Sequence, residues 1–300
     1  MRVLITGASG FIGKPLLKKL NSNNCKILAL SRNIPKDKQK NNIVWLKTDL
    51  ASLSEVENEI ENFSPEVVIH LAWQDIPDYS YEKSLLNLNL SLNLFSFLTN
   101  LKSCKKVLVS GSCWEYNKTK GECIETEQSE ANNQFTWAKH SIYSWLKLTC
   151  EQKNISLGWF RVFYVYGPEQ KMTSLLPTIF NNLKLKKIPS IRTPKNSNDF
   201  IFIEDVVEAF AIATMQSFPS GIYNLGSGKS ISVLDICKHA EKIILGNNKL
   251  SIELEEATKG SSNDSNFWAN IDLSRGVLNW EPQTGIVEGI SKTWDSIRIQ

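Results

Sequence analysis

The segment T-G-A-S-G-F-I-G, Thr6 to Gly13, spaces three glycines as a phosphate cradle requires. It follows an apolar run at 3–5 and precedes helical apolar spacing at 15–20, and that strand-to-helix context turns a glycine pattern into a credible site. Gly7 permits a tight turn, Gly10 lets backbone approach a pyrophosphate, and Gly13 lets helix and strand pack closely. The unpaired N–H groups of the helix start then face the anion. The predicted ligand is a dinucleotide, with Gly7, Ser9, Gly10, Phe11, Ile12 and Gly13 along its phosphates.

The second apolar run ends at Leu30-Ser31-Arg32, where an NAD-specific site places a carboxylate on the adenosine ribose. No carboxylate is present. Ser31 can hydrogen-bond a 2′-phosphate and Arg32 can meet it with a planar cation, which predicts NADP(H) in preference to NAD(H). Asp49, beside Leu50 at the end of the third run, could accept from the adenine amino group or cap the following helix.

The elements that position these residues are legible as alternation. Apolar runs at 27–30, 43–47, 67–71 and 107–110 join the first at 3–5 as predicted strands, separated by helical spacing at 15–20, 53–63 and 84–101. This predicts an α/β fold with a doubly wound parallel sheet of Rossmann type. A helix at 137–153 and a strand at 157–165 follow, broken by Tyr166-Gly167-Pro168. Beyond it, Pro177, Pro189 and Pro194 interrupt the pattern, and a closing helix is expected at 286–297. The expected division is 1–166 for dinucleotide binding and 167–300 for a smaller substrate-binding lobe, with part of 199–228 packing back on the first.

Composition excludes several classes of function. The chain has 300 residues, 42% hydrophobic and 22% charged, with a formal net charge of +3 and no basic tract suited to nucleic acid. No apolar stretch approaches the roughly 20 residues that cross a bilayer. The six cysteines lack C-x-x-C spacing, so reduced thiols, no metal centre and a cytoplasmic location are expected.

The ordered blocks Thr6 to Gly13, His70-Leu71-Ala72-Trp73, Val109-Ser110-Gly111-Ser112, Arg161 to Pro168 (R-V-F-Y-V-Y-G-P), Asp199 to Val206 (D-F-I-F-I-E-D-V) and Tyr223 to Gly228 (Y-N-L-G-S-G) resemble the extended short-chain dehydrogenase/reductase family, especially its nucleotide-sugar epimerases, dehydratases and 4-ketoreductases. The resemblance implies that Leu71, Ala72, Trp73, Lys139 and Phe163 meet the cofactor. It implies a substrate oxygen held by Ser112, a proton exchanged by a tyrosine, and a lysine four residues on that holds the nicotinamide ribose. Lys139 matches the lysine, but the tyrosine position is Phe135. A literal Y-x-x-x-K occurs at Tyr143 and Lys147, about two helical turns away, and Tyr116 and Cys113 are further candidate acids.

For the substrate, the resemblance implies Trp73, Ser112, Cys113, Trp114 and Tyr164. Two arginines that relatives use on the diphosphate are missing, one replaced by Asn198 and the other falling among residues 260–262, which leaves Lys171, Arg192, Lys195 or Lys259 to meet it. The expected activity is NADP(H)-dependent reduction of a nucleotide-linked 4-keto sugar by a homodimer paired through 84–101 and 137–153. The alternatives are a 4-epimerase or 4,6-dehydratase, or a non-catalytic cofactor-binding relative.

Overall fold

Strands apolar on both faces need cover on both faces, and helices supply it. In the computed structural model, which describes residues 1–35, 42–127, 130–260, 262 and 264–298, the chain opens with β1 (Arg2–Thr6), α1 (Gly13–Ser22), β2 (Lys26–Ser31) and β3 (Ile43–Lys47). A 3-10 segment (Leu50–Glu55), α2 (Glu57–Phe63), β4 (Val67–His70), α3 (Tyr81–Leu98) and β5 (Lys106–Ser112) follow. Next come a 3-10 turn (Cys113–Tyr116), β6 (Lys120–Cys123), α4 (Gln134–Gln152), β7 (Ser156–Val162), β8 (Tyr164–Tyr166) and α5 (Leu175–Lys184). The rest comprises β9 (Ser197–Phe202), α6 (Ile203–Met215), β10 (Gly221–Leu225), β11 (Ser230–Ser232), α7 (Val233–Leu245), α8 (Lys249–Ala257), β12 (Asn266–Ala269), α9 (Asp272–Leu278) and α10 (Ile286–Arg298).

Among the described residues a seven-stranded parallel sheet runs β10-β7-β5-β4-β1-β2-β3, a doubly wound Rossmann-type order. Alternate side chains divide its core. Val3, Ile5, Val67, Ile69 and Leu108 pack in the layer that holds α1 and α6, whereas Leu4, Val68, Val107 and Val109 pack under α3 and α4. A second sheet runs β11-β9-β12-β6, with β8 also pairing β9. The two lobes interleave in the chain, since β6 lies in the second sheet and β10 in the first.

Two elements differ from expectation. The strand expected at 157–165 is two strands, because β7 leaves the large sheet after Val162 and β8 pairs β9. Phe163 makes the crossing, with its ring buried between Tyr116 and Phe267 and its N–H donated to the Leu225 carbonyl. The helix expected at 53–63 is a 3-10 segment and a short α-helix, divided at Val56 and irregular at Ser52, although Leu53, Val56 and Ile60 do share a buried face.

Buried Asp199 ties the second lobe together. It accepts from the Ser227 N–H and Oγ at 2.6 Å each, from the Gly228 N–H at 3.0 Å and from the Ala269 N–H at 3.1 Å. Asp199→Ala would strand three backbone donors, each costing roughly 1–3 kcal/mol. Urea denaturation should therefore show a loss of at least about 3 kcal/mol, and a loss under about 1 kcal/mol would show that the loop is held by other means.

Candidate active site

The strand order reverses between β1 and β4, so the connections leaving their carboxyl ends run in opposite directions and leave a crevice. A cavity of about 210 Å³ holds Ser9, Leu30, Ser31, Thr48, Leu50, Ala72 and Gln74. A larger cleft of about 700 Å³ continues to Ser110, Gly111, Ser112, Phe135 and Lys139, opposite Asp75, Ile76, Pro77 and Tyr79. Gly7, Gly10, Arg32, Leu71 and Trp73 line both, while Phe11, Ile12 and Gly13 line the larger.

The glycine loop fits a pyrophosphate. A Cβ on Gly13 would come within 2.2 Å of the Gly7 carbonyl and 2.8 Å of the Ala8 Cα, so only glycine lets α1 start this close to β1. No side chain caps the start of α1 and its first turn carries no acid, which leaves its dipole for an anion. At the adenosine end, buried Ser31 shares a hydrogen bond with Ser9 Oγ at 2.7 Å and donates to the Asn33 carbonyl, while Arg32 is exposed beside it. Asp49 takes the capping role, accepting from the Ala51 N–H at 3.0 Å and from Gln74 at 3.2 Å, and it lines neither cavity.

At the far end, Ser112 caps the 3-10 turn, its Oγ accepting from the Trp114 N–H at 3.2 Å. Beneath it lies Glu115, 1% exposed, which accepts from the Ser112 N–H at 2.7 Å, the Trp159 indole at 2.8 Å and Arg161 Nε at 3.3 Å. Gly111 leaves room for this contact, because a Cβ there would lie 2.4 Å from the Trp159 indole nitrogen and 2.7 Å from Glu115 Oε1.

Asn133 caps α4, accepting from the Thr136 N–H, and the helix carries Phe135 and Lys139 into the cleft one turn apart. Lys139 Nζ donates to the Ser110 carbonyl at 2.8 Å and sits 4.3 Å from the Trp73 ring centroid. Burial brings this ammonium down to about 8, against a smaller upward pull from the Glu115 carboxylate. His70, between Thr6 and Ser91, is pushed to about 3 by burial and then by the Lys139 charge, and is neutral. The Phe135 ring packs against Tyr79 at 4.8 Å, Trp73 at 5.1 Å and Trp114 at 6.1 Å between centroids.

The other expected acids lie elsewhere. Tyr143 and Lys147 line a separate cavity with Cys150, Glu151 and Leu157, on the part of α4 away from Phe135. Tyr116 donates to Asn224 Oδ1 at 2.7 Å, and both it and Cys113 are buried outside the cleft, where burial pushes their ionisation well above the ordinary range. Cys113 and Phe163 thus belong to a packed cluster and present no side chain to the cleft.

Trp114 and Tyr164, joined by an indole-to-hydroxyl hydrogen bond of 3.1 Å, line a further cavity of about 230 Å³ with Asn117, Lys118 and Asn132. Lys171 reaches the main cleft and donates to the Ile76 carbonyl at 2.7 Å. Arg192 is exposed and Asn198 accepts from Ser265, neither lining these cavities; Lys195 donates to the Lys259 carbonyl. Of 260–262, Ser261 lies outside the described residues. Tyr79, Gln74 and Glu115 were not anticipated: the first two stand in an aperiodic loop, and the partners of the third are distant in sequence.

The fold is Rossmann-type, and one cleft joins the glycine loop to Ser112 and Lys139. A profile of the NAD dependent epimerase/dehydratase family matches residues 3–226, and the chain belongs to that family, an NAD-dependent enzyme class. It is 25% identical to the dTDP-D-glucose 4,6-dehydratase of Bos taurus over 97% of this chain and 87% of the relative. It is 24% identical to the dTDP-4-dehydro-6-deoxyglucose reductase of Escherichia coli, over 99% and 98% respectively. The solved UDP-glucuronic acid 4-epimerase of Bacillus cereus in complex with UDP-glucuronic acid and NAD superposes with a TM-score of 0.81 at 19% identity, covering 100% of this chain and 99% of the other.

A depressed lysine makes folding depend on pH. The unfolded chain holds the Lys139 proton up to about 10.5 while the folded chain loses it near 8, so stability rises with pH across that window. Relative to Lys139→Met, wild-type stability should climb from pH 8 to 10.5 by up to roughly 1.4 kcal/mol per unit. Parallel stability curves for the two proteins would contradict it.

Proposed function

We propose that the chain is an NADP(H)-dependent reductase of a nucleotide-linked 4-keto sugar. The observation that carries this reading is a single cleft lined by Arg32, the glycine loop, Lys139 and Ser112. Gly7 to Gly13 would hold the pyrophosphate, Ser31 and Arg32 the 2′-phosphate, and Lys139 the nicotinamide ribose. Bound there, the cofactor supplies the hydride. Ser112 Oγ donates to the oxygen on which charge develops, in a site where aromatic walls exclude water.

Elimination of water, as in a 4,6-dehydratase, needs a base for one carbon and an acid for the leaving hydroxyl. Among the described residues the only carboxylate lining the cleft is Asp75, which accepts from Lys83 at 2.5 Å. That disfavours dehydration. A 4-epimerase holding NAD is the second reading, favoured by the solved 4-epimerase with NAD and UDP-glucuronic acid.

Residues 1–166 are assigned in the main to the cofactor and 167–300 to the sugar nucleotide, with part of 199–228 packing back on the first and β6 joining the second, and Lys171 in the main cleft is assigned to the diphosphate. Exposed Leu86, Trp137 and Leu148 on α3 and α4 support a homodimer through these helices, and six buried free thiols accord with a cytoplasmic enzyme. No helix of the described residues is long and apolar enough to cross a membrane.

Calorimetry should give tighter binding of NADPH than NADH by about ten- to a hundredfold, the worth of charge-assisted hydrogen bonds to the 2′-phosphate. Arg32→Ala should erase most of that preference. Reduction should consume one NADPH per product at 340 nm. Equal cofactor affinities, or product formed with no net absorbance change, would transfer the assignment to the epimerase.

A further inference from the structure

We infer that Tyr79 is the proton donor of the reaction, supplying from the loop after β4 the hydroxyl that Phe135 lacks. The inference rests on the reductase reading above. Tyr79 is the only tyrosine lining the main cleft among the described residues, and its ring lies 4.8 Å from Phe135 and 4.9 Å from Trp114. Of the other tyrosines nearby, Tyr116 gives its hydroxyl proton to Asn224, and Tyr164, whose oxygen accepts from the Trp114 indole, lines the separate cavity and not the main cleft. The Tyr79 hydroxyl has no partner among the described residues.

Tyr79 is half-buried, and burial followed by the adjacent Cys113 raises its ionisation above the ordinary value, so it carries its proton at neutral pH. Its loop is braced from two sides, by Lys83 on Asp75 and by Lys171 on the Ile76 carbonyl. Reduction of a C4 ketone adds hydride at carbon, shifts the C=O π pair onto oxygen and needs one proton there. Tyr79 Oη gives that proton, keeps the O–H electron pair as phenolate, and takes a proton back from water at the cleft mouth.

Tyr79→Phe keeps the ring and removes only the hydroxyl. With NADPH and dTDP-4-dehydro-6-deoxyglucose as the probe, kcat should fall by about 10²–10⁴. Calorimetry should show the probe bound about three- to tenfold more weakly while dTDP alone is unaffected. Adding Phe135→Tyr to the variant should recover at least tenfold of the lost rate, since it returns a phenol beside Lys139. Turnover within threefold of wild type, a loss that the second substitution does not relieve, or wild-type binding of both ligands with no turnover overturns Tyr79 as donor and leaves the cofactor and sugar-nucleotide reading standing. Failure of the wild-type chain to bind either NADPH or the probe overturns that reading, and this assignment with it.

Discussion

A buried carboxylate, Glu115, governs the geometry of the reaction end. It joins neighbouring strands: Ser112 on β5, and Trp159 and Arg161 on β7, where Gly111 stands in register with Arg161. The Arg161 guanidinium lies 4.2 Å from the Tyr116 ring, Tyr116 donates to Asn224 on β10, and Asn224 donates to the Cys123 and Asn270 carbonyls beside the second sheet. Position passes along this path from the smaller lobe to the serine. Such a pair adds little net stability, yet removing one partner leaves an uncompensated charge at a cost of roughly 3–5 kcal/mol. Its value lies in fixing the backbone at Ser112, which the role proposed for that hydroxyl would require.

The sheet was legible because its strands are short, β-branched and apolar on both faces, and the glycine loop because its spacing came with the right flanking elements. The failures share a cause. Residues 157–165 are apolar except for Arg161, and periodicity cannot tell one long strand from two that enter different sheets, since neither half alternates between buried and exposed. Glu115 looks like any surface acid until Trp159 and Arg161, 44 and 46 residues on, are folded against it. Tyr79 belongs to a loop whose residues repeat with no period, so only the folded chain brings it to Phe135. Asp49 carries two sound readings, and the structure shows the cap hydrogen bond to the Ala51 N–H.

Charge in the cleft points the same way as shape. Arg32, Lys139 and Lys171 line it, against a single carboxylate among the described residues, Asp75, already paired with Lys83. A cleft with aromatic walls and an excess of cations concentrates polyanions, and both a dinucleotide and a sugar diphosphate are polyanions. His70 adds no charge, because burial and the nearby ammonium keep it neutral, and its ring holds Thr6 and Ser91 in place instead.

Phe135 and Trp73 are physically linked through Lys139. A phenol at 135 would offer an oxygen to the buried ammonium, and a benzene ring offers none. Burying an ammonium without partners is costly enough that the lysine must find others or surrender its proton. It does some of each: the Ser110 carbonyl accepts one hydrogen bond, the Trp73 face lies 4.3 Å away, and the ionisation falls to about 8. A desolvated cation over an indole face gains on the order of 2 kcal/mol, comparable with the hydrogen bond that the missing hydroxyl would have made. The tryptophan in the loop after β4 thus offers the ammonium an electrostatic contact that the Phe135 ring, 5.9 Å away between Nζ and centroid, gives less closely. It also packs edge-on against that ring, so the two side chains keep Lys139 in place by contacts that need no hydroxyl at 135.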